Sequence, residues 1–121
     1  MKSITPDQKV KLDLIDTYSV AFKVAKEAAL TASNPKEDGG TCNLDSVVIY
    51  LKGWRQADID MLQKVSGVRF TTKIEGGFWK GYWFVDLPAH GQGNNRSRMV
   101  EAAAKKLKEF NVPVSVYYQM D

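Results

Sequence analysis

From residue 46 onward the apolar side chains switch repeatedly between a period of two and a period of 3.6, and this alternation restricts the fold more than any other feature of the chain. Val47, Ile49 and Leu51 alternate along residues 46–51, as on a half-buried strand. Ile59, Leu62 and Val65 then recur at helical spacing within residues 54–65, and Gly67 supplies the left-handed residue that ends such a helix. Residues 68–74 and 78–87 are strand-like runs flanking Glu75-Gly76-Gly77, a hairpin signal with glycine where positive φ is needed. Val100, Ala103, Leu107 and Phe110 mark a second helix over residues 95–111, and residues 112–119 read as a last strand.

A longer helix precedes this series. Thr5-Pro6-Asp7-Gln8 combines a capping threonine, proline at the first helical position and glutamine three residues after the cap. Val10, Leu14, Tyr18, Ala21, Ala25, Ala28 and Ala32 follow on one stripe, widened by Ile15, Phe22 and Ala29, until Asn34-Pro35 stops the helix. At 1.5 Å per residue it is a rod of about 40 Å. The expected fold is α+β: a ferredoxin-like βαββαβ sandwich with an antiparallel four-stranded sheet, preceded by this N-terminal helix. The helix takes residues 1–35 and the core residues 36–121, one domain overall. The helix is expected to cover the open sheet face, in its own chain or across a homodimer, because its stripe is too long to stay wet.

Composition narrows the class. With 121 residues, 44% hydrophobic and 26% charged, the chain has the make-up of one ordinary globular domain. No apolar run exceeds 47–51 and no signal-peptide core opens the chain, so a cytoplasmic protein without membrane contact is expected. Cys42 is the sole cysteine and His90 the sole histidine, which excludes an internal disulfide and a Cys/His metal site; no cofactor is indicated. Residues 1–45 carry six lysines and seven acids, net −1, whereas residues 46–121 carry eleven basic and seven acidic side chains, net +4. That tilt permits an anionic partner for the second part.

The stretch from Pro88 to Arg98 is the least fold-like. Gly91 and Gly93 would let backbone amides approach a ligand, and the loop runs into a helix N-terminus, where a negative charge is favoured. Arg96 and Arg98 in that first turn oppose the dipole by about 0.3–1 kcal/mol each unless an anion compensates. In the expected topology the segment before the first strand meets this loop. Gly39, Gly40, Asn43, Gly91, Gly93, Asn94, Asn95, Arg96 and Arg98 would then cradle a phosphate-bearing, nucleotide-like ligand. The competing arrangement pairs the arginines with Asp38, Asp45 or Asp121. Gly91-Gln92-Gly93 lacks the spacing of a dinucleotide fingerprint and no Walker lysine follows. A non-enzymatic binding protein is therefore expected, the residual catalytic option being a Cys42 thiolate activated by His90.

Alternation along the strands puts Tyr50, Lys80, Tyr82 and Phe84 on one sheet face and Ile49, Leu51, Trp83 and Val85 on the other. Lys80-Gly81-Tyr82-Trp83-Phe84-Val85-Asp86-Leu87 resembles the eight-residue signature of RNA-recognition-motif domains, and Ile49-Tyr50-Leu51-Lys52-Gly53-Trp54 resembles their six-residue signature. The resemblance, over residues 46–119, implies that Tyr50, Tyr82 and Phe84 stack on bases and Lys80 contacts a phosphate. This makes single-stranded nucleic acid on the sheet face the alternative function. The chain also resembles small phage and mobile-element proteins, which adds a third class, blocking a host factor by direct contact.

Overall fold

The computed structural model describes residues 6–34, 36, 39, 45–89 and 93–118. Along them run α1 (Pro6–Ala32), β1 (Ser46–Tyr50), α2 (Gln56–Ser66), β2 (Phe70–Lys73), β3 (Tyr82–Val85), α3 (Asn94–Glu109) and β4 (Val114–Tyr117). The fold is α+β, with three helices and a four-stranded sheet in the order β2-β3-β1-β4. Every neighbouring pair is antiparallel. Register pairs Val48 with Phe84 and Tyr50 with Tyr82 on one side of β1, and Val48 with Ser115 and Ser46 with Tyr117 on the other. A bulge at Thr71 lets both Phe70 and Thr72 keep partners on β3.

Local chemistry sets the helix ends. In α2 the Asp58 carboxylate accepts the Arg55 backbone N–H at 3.0 Å, closing the first turn. Gly67, at φ 72°, ends the helix by donating its N–H to the Gln63 carbonyl. Lys11 of α1 donates to the same Asp58 carboxylate at 3.0 Å and to the Gly53 carbonyl at 3.2 Å, tying the start of α2 to α1. Burial alone would raise the Asp58 pKa, but the hydrogen bonds from Arg55 and Lys11 and their positive charges hold it below the ordinary carboxylate value.

One core forms between the sheet and the helices. It joins Ile15, Tyr18, Ala21, Phe22, Ala25 and Ala29 of α1 to Val47 and Ile49 of β1, Ile59 and Leu62 of α2, Phe70, Val85, and Met99, Val100, Ala103 and Leu107 of α3. Phe22 meets Phe70 edge-on at 5.8 Å, and Tyr18 stacks on Trp54 at 5.8 Å. α1 packs on both α2 and α3. This corrects the expectation for the leading helix: it is part of the helix layer, and no described helix lies over the other sheet face. The reason lies in the two faces. One buries Phe22 against Val47, Ile49, Phe70 and Val85, with the Trp83 indole N–H as its one ring donor, whereas the other carries Tyr50, Tyr82 and Tyr117, whose hydroxyls all need partners. Ala21, Ala25 and Ala29, fully buried, also let α1 approach its neighbours closely.

The strand boundaries contract. Residues 78–81 form turns and β3 starts only at Tyr82, because Lys80 and Tyr82 donate their N–H groups back to the Gly77 and Trp79 carbonyls. Lys80 therefore precedes the strand on which it was expected.

Candidate functional site

The face away from the helices is a row of rings. Tyr50 lies 5.1 Å from Tyr82, Tyr82 5.1 Å from Trp79, Trp79 5.5 Å from Tyr117, and Tyr117 5.3 Å from Phe84. Tyr50, Tyr82 and Phe84 stand there through strand alternation, as expected from the sequence. Trp79 and Tyr117 were missed. Tyr117 follows from the same alternation in β4, where Ser115 and Tyr117 are registered beside Val48 and Ser46. Trp79 had no such signal: strand parity assigns it to the helix face, but the turn at 78–81 brings it over Tyr82 instead.

Gly81 sets the pose of the first ring. Its φ is +91°, and a Cβ placed there would lie 2.9 Å from Cε1 of Tyr50, so the tyrosine ring rests against bare backbone. Beside this ring is a cleft of about 290 Å³ lined by Tyr50, Lys52, Lys73, Glu75, Lys80 and Gly81. The three lysines outnumber the one glutamate, giving that end of the ring row a positive potential. A row of half-exposed rings with cations at one end can stack flat unsaturated groups and hold an anion next to them.

The second candidate is the edge where the loop before α3 meets the chain entering β1. Gly39 and α3 do meet: the Asn94 N–H donates to the Gly39 carbonyl at 2.8 Å. Gly93 stands just before the helix and Asn95 is buried, its Oδ1 accepting the Asn34 N–H and its Nδ2 donating to Ser33 Oγ at 3.4 Å. The arginines diverge. Arg96 donates through Nε to the Asp45 carbonyl at 2.7 Å and through its other nitrogens to the Ala89 carbonyl and Ser46 Oγ, while Arg98 reaches the Asn34 carbonyl at 3.1 Å. Arg96 lines a cleft of about 240 Å³ together with Asp45, Phe84 and Asp86; Arg98 is not part of its wall. Carbonyl dipoles thus face both guanidiniums, and the Asp45 carboxylate accepts from Ser97 Oγ at 3.0 Å. Gly40, Asn43 and Gly91, the alternative arginine partners Asp38 and Asp121, and the Cys42 and His90 pair lie outside the described residues.

Among the described residues no three His, Cys, Asp or Glu side chains cluster to hold a metal ion, and no described helix is long and apolar enough to cross a membrane. Comparison with family models, curated proteins and solved structures yields no match to the chain.

Proposed function

We propose that this chain is a non-enzymatic module of ferredoxin-like βαββαβ design that binds single-stranded nucleic acid across the sheet face away from the helix layer. The observation that carries the reading is the packing of α1 into the helix layer, so that among the described residues no helix lies over the row from Tyr50 to Phe84. Bases would stack on the rings, and Lys52, Lys73 and Lys80 would neutralise phosphates beside Tyr50. The resemblance of the β1 and β3 segments to the RNA-recognition-motif signatures points to the same three rings. A duplex buries its base faces in its own stack, so the rings favour an unpaired strand.

Fluorescence anisotropy with short labelled RNA and DNA strands at low salt tests this. Tyr82→Ala should weaken binding by about 1–3 kcal/mol, the usual worth of stacking on one aromatic side chain. Added salt should weaken it further through the lysine contacts. Absence of binding by the folded wild-type protein to any single strand overturns the reading.

The Gly/Asn/Arg edge supports a phosphate cradle less well. Its arginines already donate to protein oxygens, and those bonds join α3 to the end of α1 and the start of β1.

A further inference from the structure

Val48 is fully buried although it lies on the sheet face away from the described helices and stands outside the main core. Its strand neighbours are Phe84 and Ser115, and the serine is too small to roof it. Trp79, from the turn at 78–81, reaches across the face and sits against Tyr82 on β3 and Tyr117 on β4, the strands that flank β1 on either side. The indole thus spans the middle of the ring row. Its neighbour Phe78 packs edge-on against it at 5.2 Å and is 87% exposed. The turn therefore offers one ring to the sheet and one to solvent.

We infer that the indole of Trp79 holds the place of a purine base, and that the preferred ligand is a purine-containing single strand whose base displaces it from between Tyr82 and Tyr117. This inference rests on the sheet-face reading above. The indole meets Tyr82 edge-on at 78° and Tyr117 tilted at 59°, not stacked, and a purine has the same flat nine-atom fused-ring outline, so the slot that the indole fills between these rings accepts a purine in its place. A single-ring pyrimidine leaves part of the slot unfilled and forfeits those contacts. The Trp79 indole is held by ring contacts, so rotation about its own side-chain bonds moves it aside while the backbone hydrogen bonds of the turn stay closed. Binding then competes with the protein's own ring, and the apparent affinity is reduced by the fraction of molecules in which the slot is closed.

The test compares oligoadenylate and oligouridylate strands of equal length on the wild type, Trp79→Ala and Tyr82→Ala. The wild type should bind the adenylate strand more tightly, and Trp79→Ala should tighten that binding roughly tenfold while Tyr82→Ala weakens it. The opposite signs separate a displaceable ring from a platform ring. Should Trp79→Ala fail to fold, the wild type provides the second measurement: its indole emission should change on saturation with oligoadenylate, and Trp79→Phe should lose that change. Trp54 and Trp83 do not confuse the signal, since they pack against Tyr18 and Phe70 in the helix layer. Equal affinity for the two strands, weaker or unchanged adenylate binding by Trp79→Ala, or an unchanged emission overturns this inference and leaves the sheet-face reading standing. No binding of either strand by any variant overturns both.

Discussion

Gly81 and Asp58 show how single residues hold a ring and a helix end in place. An alanine at Gly81 meets two penalties, a positive φ that L-residues rarely adopt and a methyl 2.9 Å from the Tyr50 ring. Gly81→Ala should therefore lower stability by about 1–2 kcal/mol in a thermal or urea melt. The displaced Tyr50 should also reduce the proposed binding of single strands under conditions where the variant remains folded. Asp58 gives a pH signature. Its folded pKa lies below the ordinary value, so the stabilisation it brings is present above the unfolded carboxylate range near ~4 and is lost as pH falls through the lower folded value. Asp58→Asn should cost about 1 kcal/mol at neutral pH, where it weakens the α2 cap and the Lys11 contact, and little in strong acid. Equal destabilisation at pH 7 and pH 2.5, measured by urea titration, would contradict this account.

At the scale of elements, α1 decides what the rest of the chain can do. Its inward residues supply the central layer of the core, so the segment from residue 46 onward does not carry a complete helix layer without it. Phe22→Ala should cost about 3–5 kcal/mol, since the ring is fully buried against Phe70. A chain beginning at residue 34 should lose cooperative unfolding in a thermal melt. A sharp transition with unchanged midpoint would return α1 to the role of a detachable cover. The β2–β3 connection makes the second point at this scale. Phe78 and Trp79 have high strand propensity, which extends the third strand on paper. The turns closed at the Gly77 and Trp79 carbonyls outweigh that preference and aim Trp79 at the face where parity would not put it.

The whole molecule divides its labour between two ends of the sheet. One end gathers Lys52, Lys73 and Lys80 beside Tyr50, and the other uses Arg96 and Arg98 to fasten α3 to the chain around it. Thermal-shift measurements with phosphate and mononucleotides separate fastening from ligand capture. Arg98→Ala should lower the melting temperature in plain buffer, and added phosphate should raise the wild type little; a large phosphate-dependent gain abolished by Arg98→Ala would restore the cradle. Periodicity, caps and turn residues determined by themselves the order of helices and strands, the ends of α1, the glycine that closes α2, and the common face of Tyr50, Tyr82 and Phe84, because each depends on neighbours within a few positions along the chain, whereas α2 starts at Gln56 and not at residue 54. The meeting of Gly39 with the start of α3 was also legible, as a consequence of strand order. Only the tertiary structure decided which sheet face α1 covers, where Trp79 lies and what Arg96 and Arg98 touch. Those outcomes rest on competition between surfaces distant in sequence: a sheet face with fewer polar ring groups that buries Phe22 against Phe70, and carbonyl groups that come within reach of a guanidinium only after the sheet and helices have packed.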